Sequence, residues 1–385
     1  MKYDFDNVPS RFNINSLKWD CKDDELPMWV ADMDFSVAPK IKEALLKRVN
    51  AGTFGYSISS DEFFDSFIRF NLIRHNIKYE KEDIIMSTGA VPAISSMVRK
   101  ITTPAEKVVL LTPVYNIFFN SIYNNGRYIL ESNLLYNPKT QEYSIDFSDL
   151  EIKLSDPQTS LLILCNPHNP IGKIWSEEEL LKILELTRKY NVKIISDELH
   201  CDIITPGLEY TPIQKLTNNN DNVISILSAS KCFNLAGLQA AYVICKNKEL
   251  NWKIKRGLNT DEVAEGNAFY NDAFIAAFDS IDWLDEMNAY VTINKRYAYE
   301  FLSKIKGVKP IKGDATYLLW VDIKDITNDS KKFVEFLREK TGLIITEGIE
   351  YGNSGEGFVR INLATSISNV IDGLNRFKTG VKLYK

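Results

Sequence analysis

The chain has 385 residues, of which 45% are apolar and 25% are charged, and its formal net charge is −5 at pH 7. This length predicts two domains, or a large domain with a smaller one, and the acidic balance argues against a nucleic-acid-binding protein. No window approaches about 18 uninterrupted apolar residues, so no membrane-spanning helix is expected. The polar and aromatic first residues, MKYDFDNVPSRF, do not predict a signal peptide.

Cysteine and histidine are both sparse in this chain. The five cysteines are odd in number and form no CxxC pair, which fits reduced thiols and predicts a cytoplasmic protein. The three histidines do not favour a histidine-rich site, so no bound metal is expected.

Short apolar runs follow one another through the middle of the chain, with amphipathic stretches between them. Continuous apolar runs are typical of strands that are buried on both faces. Between two of the runs, residues 176–191 predict a helix that Ser176 caps, with Glu179 three residues later. A strand–helix–strand unit of this size implies parallel strands. The predicted strands are DIIMSTGA (83–90), KVVLLTP (107–113), SLLILCNP (160–167), VKIISDE (192–198), NVISILSAS (222–230) and AAYVICK (240–246).

The pattern changes towards the end of the chain and predicts a smaller α+β domain. The predicted elements there are strands at 315–323, 342–348 and 357–364 and a helix at 330–341. The predicted domains are an N-terminal segment (1–45) that joins the small domain, a large domain (46–290) and a small C-terminal domain (291–385).

Polar, aromatic and glycine residues recur where the predicted strands end. In an open α/β sheet, ligands bind beyond the carboxyl ends of the strands, so these residues share one edge of the sheet. That shared placement is stronger evidence for a binding site than any single residue. The segments are TGAV (88–91), VY (114–115), NPHNPIG (166–172), DELH (197–200) and SASK (228–231).

Each of these residues also has an ordinary structural interpretation. Lysine normally reaches the surface, as Lys231 could, and Asp197 could cap a helix. Tyr115 could pack in a turn or the core, and His200 could be a satisfied structural histidine. Other candidates are equally open: Ser228 and Ser230 as caps, NPHNPIG as a turn, and Gly89 as a tight turn or a phosphate cradle.

One cofactor, pyridoxal 5′-phosphate, uses the whole set together. It requires a lysine for a Schiff base and an acid beside its pyridine nitrogen. It also requires an aromatic ring to stack on it, a donor to its O3′ oxygen, and hydroxyls and a helix N-terminus for its phosphate. The residues that match these roles are Lys231, Asp197, Tyr115, Asn169, Ser228, Ser230, Ala90 and Val91.

Over nearly its whole length the chain resembles the fold-type I, pyridoxal-phosphate-dependent enzymes of the aspartate aminotransferase superfamily. The motifs that carry this resemblance are NPHNPIG (166–172), SDELH (196–200) and SASKCFNLAGLQ (228–239). Further stretches are similar to the MalY/PatB branch, whose members are cystathionine β-lyases or C–S lyases. These stretches are MWVADMDF (28–35), FGYS (54–57), TPVY (112–115), ILCNPHNPIGKIW (163–175), SDELHCD (196–202), ATYLLWVD (315–322) and GFVRINLA (357–364).

The resemblance implies an α/β fold with a large, mostly parallel mixed sheet and a smaller α+β domain. It also implies that Lys231 forms the Schiff base and that Asp197 pairs with the pyridinium nitrogen. The resemblance further implies that Asn169 hydrogen-bonds O3′ and also binds the substrate, and that His200 stands where aminotransferases carry a tyrosine that also reaches this oxygen. Other implied roles are ring stacking by Tyr115, phosphate binding by Ala90, Val91, Ser228 and Ser230, phosphate binding across a homodimer interface by Tyr56, and substrate α-carboxylate binding by Arg360.

One position departs from the aminotransferase pattern. Aminotransferases place an arginine on the phosphate a few residues after the lysine, at the position of Gln239. Glutamine is neutral, so this arginine's charge is missing here. The substitution favours the lyase branch and leaves the cation that balances the phosphate unassigned.

The implied activity is a C–S β-lyase that cleaves L-cystathionine and related cysteine S-conjugates to pyruvate, ammonia and a thiol, and L-cysteine to pyruvate, ammonia and sulfide. An aminotransferase is the alternative, because it shares every step up to loss of the Cα proton. A regulator-binding protein is a third interpretation, which the presence of both Lys231 and Asp197 disfavours. The expected ligand is an amino acid, with no nucleic-acid or membrane partner.

Overall fold

A computed structural model describes residues 1–384. These residues form fifteen strands and twelve α-helices. The strands are β1 (Leu26–Pro27), β2 (Ile84–Ser87), β3 (Lys107–Thr112), β4 (Tyr128–Asn133), β5 (Leu135–Asn137), β6 (Glu142–Ser144), β7 (Thr159–Cys165), β8 (Lys193–Asp197), β9 (Val223–Leu227), β10 (Ala241–Ile244), β11 (Lys309–Pro310), β12 (Leu318–Asp322), β13 (Leu343–Ile344), β14 (Thr346–Glu347) and β15 (Phe358–Asn362). The helices are α1 (Pro39–Asn50), α2 (Asp61–His75), α3 (Ala90–Ile101), α4 (Ile117–Tyr123), α5 (Phe147–Ser155), α6 (Glu177–Lys189), α7 (Ala229–Cys232), α8 (Lys248–Thr260), α9 (Tyr270–Phe278), α10 (Ile281–Leu302), α11 (Ser330–Thr341) and α12 (Ile367–Tyr384).

A seven-stranded sheet in the order β2-β10-β9-β8-β7-β3-β4 contains all six strands that the apolar runs predict. Four neighbouring pairs, from β9 to β4, are parallel, and β10 is antiparallel to both of its neighbours. The α/β class and the mostly parallel sheet are confirmed. The apolar runs did not predict the seventh strand, β4, because it is a half-exposed edge strand without a continuous apolar run.

The helix between β7 and β8 begins as its sequence predicts. The Ser176 hydroxyl accepts a hydrogen bond from the Glu179 backbone N–H at 3.1 Å, and the Glu179 carboxylate accepts one from the Ser176 N–H at 2.8 Å. This capping box fixes the start of α6. Helix α6 then buries Leu180, Ile183 and Leu184 against the sheet.

A second, antiparallel sheet has the order β11-β12-β15-β14. The single strand predicted at 342–348 is divided in two, because β13 leaves this sheet and pairs in parallel with β1. Residues 26–27 are thereby joined to the C-terminal unit, although the proposed domain boundaries stay a prediction. Within residues 1–384, no helix combines the length and apolar character needed to cross a membrane.

Candidate active site

One cavity opens at the carboxyl ends of β7, β8 and β9, and it brings together most of the residues singled out from the sequence. Its predicted lining residues are Ala90, Val91, Tyr115, Asn169, Asp197, His200, Ser230 and Lys231. Further lining residues are Ala31, Thr88, Gly89, Pro92, Cys165, Leu199, Ala236, Gln239 and Ala240. The convergence follows from topology, since parallel strands end at the same edge of a sheet.

Lys231 lies on the short helix α7, directly after β9. Its ammonium donates a hydrogen bond to the Ala31 carbonyl at 2.7 Å. Burial and the charge of Arg360 lower the pKa of Lys231 to about 8, against the opposing charges of Asp32 and Asp197. The side chain of Lys231 is therefore neutral more often in this site than it would be in water. The neutral amine is the form that acts as a nucleophile or a base.

Asp197 ends β8 and faces the same cavity. Its Oδ1 accepts a hydrogen bond from the Leu199 backbone N–H at 3.1 Å. Burial raises the pKa of Asp197 to about 6, although this hydrogen bond and the charge of Lys231 both act to lower it. A cationic ligand against this carboxylate would restore its ionised form.

His200 is buried in the lining, and its Nδ1 has no hydrogen-bond partner within residues 1–384. Burial and the nearby charges of Lys231 and Arg360 lower the pKa of His200 to about 3. The ring is therefore neutral, and the unpaired nitrogen is available to a ligand. Within the same residues His168 also has an unpaired Nδ1, but it does not line the cavity, and its Nε2 hydrogen-bonds the Pro113 carbonyl at 2.8 Å and serves the NPHNPIG turn.

The first turn of α3 supplies an anion-binding end to the cavity. Gly89 precedes the helix with φ of 123°, a conformation that side-chain-bearing residues rarely adopt. The backbone N–H groups of Ala90 and Val91 then belong to the first helical turn, where they have no acceptor within the helix. This end of the cavity fits a phosphate.

The two serines near Lys231 are placed differently. The Ser228 hydroxyl donates to the Ala240 carbonyl at 2.6 Å and accepts from the Ser230 backbone N–H at 3.1 Å. Ser228 therefore caps α7 and holds its start against β10, whereas Ser230 lines the cavity.

Arg360 stands beside the cavity on β15. Its guanidinium donates to Asn169 Oδ1 at 3.2 Å and to the Trp29 carbonyl at 2.9 Å. It also lies 5.0 Å from the centre of the Tyr351 ring, while its Nε has no hydrogen-bond partner within the described chain. Arg360 thus has unused capacity for a carboxylate, next to a residue that lines the cavity.

Residues 29–33 form a crossing segment that the sequence interpretation did not assign to the site. The Ala31 carbonyl accepts from Lys231 and from the Tyr317 hydroxyl, at 2.7 and 2.9 Å. Asn362, on β15, donates to the carbonyls of Val30 and Asp32. These residues lie in the MWVADMDF stretch. This stretch is part of the family resemblance, but the sequence alone assigns no role in the site to its residues. The segment connects Lys231 with the strand that carries Arg360.

Tyr56 is the predicted site residue that does not join the others. It is fully exposed and lies in irregular backbone at 52–60. It is absent from the cavity lining of its own chain.

The sequence matches the aminotransferase class I and II family over residues 27–377. The chain belongs to this family. PatB, a cystathionine beta-lyase of Bacillus subtilis (strain 168), is 39% identical over 98% of this chain and 99% of its own length. Protein MalY of Escherichia coli (strain K12) is 29% identical over 97% of both chains.

Solved structures of pyridoxal-phosphate proteins share this fold. Cystalysin from Treponema denticola, which contains pyridoxal 5′-phosphate, superposes with a TM-score of 0.95 at 32% identity and covers 100% of both chains. A pyridoxal-phosphate-bound C–S lyase from Staphylococcus hominis, in a complex with L-cycloserine, gives a TM-score of 0.92 at 31% identity and covers 98% of both chains.

The residues of this aminotransferase-family cavity fit pyridoxal 5′-phosphate. The Nδ1 of His200 has no hydrogen-bond partner in residues 1–384, and the N–H groups of Ala90 and Val91 in the first turn of α3 have no acceptor within their helix. Lys231 and Asp197 offer the amine and the carboxylate that the cofactor requires. Gln239 also lines the cavity, and this neutral residue supplies no cation there.

Proposed function

We propose that this protein is a pyridoxal-phosphate-dependent C–S β-lyase that cleaves L-cystathionine and related cysteine S-conjugates. With one water, cystathionine yields pyruvate, ammonia and homocysteine. The observation that carries the proposal is the placement of Lys231 and Asp197 in one cavity, with Arg360 hydrogen-bonded to Asn169 beside it. The family membership and the cystathionine β-lyase and C–S lyase relatives support the same activity.

The bound cofactor supplies an electron sink for the electrons of the broken Cα–H bond. Lys231, with its lowered pKa, is the base that takes the Cα proton. Asp197 is the residue that would hold the pyridine nitrogen, and its negative charge would favour a proton there. Tyr115 provides an aromatic face in the cavity lining, and Asn169 and His200 provide polar atoms for O3′.

Arg360 orients the substrate through its α-carboxylate. A carboxylate can accept two parallel hydrogen bonds from a guanidinium, which fixes both distance and angle. The Tyr351 ring beneath the guanidinium restricts its motion. With the carboxylate held there, the Cα–H bond has a fixed position relative to Lys231.

Loss of the β-thiol distinguishes a lyase from an aminotransferase, which needs a 2-oxo acid to complete its cycle. The test is incubation of the purified holoenzyme with L-cystathionine in the absence of any 2-oxo acid. We expect pyruvate and free thiol in equal amounts over many turnovers. Turnover that depends on added 2-oxo acid would instead establish the aminotransferase alternative.

We further propose that a homodimer completes the site, with Tyr56 reaching the partner subunit's phosphate region. Tyr56 is fully exposed, and Phe54 and Ile58 beside it are exposed apolar residues. An irregular segment with these side chains suits an interface between two copies. Unpaired thiols on all five cysteines fit a cytoplasmic location.

Hybrid dimers test the proposed interface. Lys231→Ala and Tyr56→Ala chains are each expected to form poorly active homodimers. If Tyr56 acts across the interface, a mixed dimer contains one site with both residues intact, and mixing restores activity. Absence of recovery in verified hybrid dimers would place Tyr56 in the site of its own chain or outside it.

A further inference from the structure

Glu350 lies near the cavity, directly before Tyr351, whose ring packs against Arg360. It belongs to the 3₁₀ turn Gly348–Tyr351, which follows β14. Its Oε2 accepts a hydrogen bond of 3.3 Å from the Asn116 side-chain amide, next to the lining residue Tyr115. Because an amide is neutral, this hydrogen bond orients the carboxylate without neutralising it.

The turn that carries Glu350 is firmly attached on both sides. The Val114 backbone N–H donates to the Tyr351 carbonyl at 2.9 Å, which joins the turn to the loop that precedes α4. On the other side, the Tyr351 ring supports Arg360 at 5.0 Å. The position of the Glu350 backbone is therefore fixed relative to the proposed carboxylate-binding residue.

Arg360 and Glu350 place opposite charges close to each other beside the cavity. Arg360 is 6% exposed, and its Nε has no hydrogen-bond partner in residues 1–384, which points to an anionic ligand. Burial and the charge of Glu347 raise the pKa of Glu350, whereas the charge of Arg360 lowers it. Although its carboxyl is partly buried, Glu350 as a residue remains exposed, so a ligand can reach it.

This arrangement matches a ligand with two charged ends. When Arg360 holds the α-carboxylate of a cysteine S-conjugate, the sulfur substituent extends away from the cofactor. We propose that Glu350, oriented by Asn116, binds an ammonium group on this substituent and selects conjugates that carry one. The proposal rests on the proposed function, because it assigns Arg360 to the α-carboxylate.

A purely structural role is the alternative, in which Glu350 only provides countercharge to Arg360. In that case, removing its charge would change the binding of every amino-acid ligand by a similar factor. Recognition of a distal ammonium would change the binding of only those ligands that possess one. A pair of ligands that differ by this group separates the two roles.

The probes are 2,7-diaminosuberate and 2-aminosuberate, which match cystathionine in chain length but contain no C–S bond. Calorimetry on the holoenzyme gives the dissociation constant of each. We expect the diamino ligand to bind about fivefold more tightly, and Glu350→Gln to reduce this ratio to about one. Glu178→Gln, which removes an exposed charge on α6, should keep the wild-type ratio.

An unchanged ratio in Glu350→Gln, or equal weakening of both ligands, would overturn the proposal. Neither probe can be cleaved at sulfur, so the result does not depend on lyase activity. A holoenzyme that fails to release pyruvate from cystathionine, yet discriminates the probes through Glu350, would contradict the proposed function alone.

Discussion

Asp197 and Glu198 are neighbours in the chain, yet their carboxyl groups have different surroundings. Both carboxyls are buried, and burial raises the pKa of Asp197 to about 6 and that of Glu198 to about 7. Glu198 accepts hydrogen bonds from the hydroxyls of Ser196 and Tyr210, among other donors. Asp197 accepts one from a backbone N–H and faces the cavity.

The comparison shows that a raised pKa does not by itself mark a functional carboxyl. Burial shifts both groups, and the difference lies in what satisfies their oxygens. The protein itself provides the donors for Glu198, which therefore holds β8 to its surroundings. The carboxylate of Asp197 can still accept hydrogen bonds from a ligand. Each of the following changes tests this division.

Asp197→Asn should have the largest effect on catalysis. The amide keeps the shape of the carboxyl but cannot hold a proton on the pyridine nitrogen, so we expect kcat/KM to fall by about 10²- to 10³-fold. Steady-state kinetics with cystathionine measures the loss, and the thermal midpoint should not fall. A variant that retains wild-type kcat/KM would remove Asp197 from the catalytic set.

The pH dependence of stability should also depend on Asp197. Its folded pKa, about 6, is above its unfolded value, 3.8, so the folded protein holds this proton more tightly and loses stability as pH rises from about 4 to 6. This contribution is at most about 3 kcal/mol. Denaturant unfolding of the cofactor-free protein measures it, and Asp197→Asn should remove it. An identical pH slope in the variant would contradict the raised pKa.

Glu198→Gln should affect stability more than catalysis. At pH 8 the amide would leave some of the surrounding hydroxyl and N–H donors without an acceptor, at a cost of about 2 kcal/mol. We expect a lower denaturation midpoint and kcat/KM within about threefold of wild type. A catalytic loss as large as that of Asp197→Asn would show that the two carboxyls are not separated in function.

Substitutions at Ser228 and Ser230 should separate an effect on stability from an effect on the cofactor site in the same way, with smaller changes. Ser228→Ala removes a cap and the hydrogen bond to the Ala240 carbonyl, so we expect about 1 kcal/mol of lost stability. Ser230→Ala removes a hydroxyl from the cavity and should weaken cofactor binding about fivefold. Fluorescence titration of the cofactor-free variants distinguishes them, and equal cofactor affinities would contradict the assignment.

The sequence predicts the parallel sheet and the site because both depend on local patterns. Buried strands appear as continuous apolar runs, and the residues after them meet at one edge. Which of the neighbouring residues Asp197 and Glu198 faces the cavity depends on what packs around the end of β8, and the sequence pattern does not show this. Its position after a strand and the cofactor's need for an acid make Asp197 a candidate, and the resemblance implies the same role.

The sequence patterns did not predict features that depend on contacts between distant parts of the chain. The backbone carbonyls of residues 29–33 join the site only because Lys231 and Asn362 bind them. Backbone atoms carry no residue-specific signal. The edge strand β4 and the division between β13 and β14 likewise depend on the neighbouring strands, which are β3 for β4, β1 for β13 and β15 for β14.

The central claim is that Lys231 attaches the cofactor. Lys295 provides an internal control, since burial lowers its pKa to about 8 as well, but its ammonium donates to the carbonyls of Gly313, Ala315 and Thr316. Borohydride reduction of the holoenzyme, followed by peptide mapping, should place the phosphopyridoxyl group on Lys231 and leave Lys295 unmodified. A label on Lys295, or an unlabelled Lys231 in an enzyme that binds the cofactor, would contradict the account.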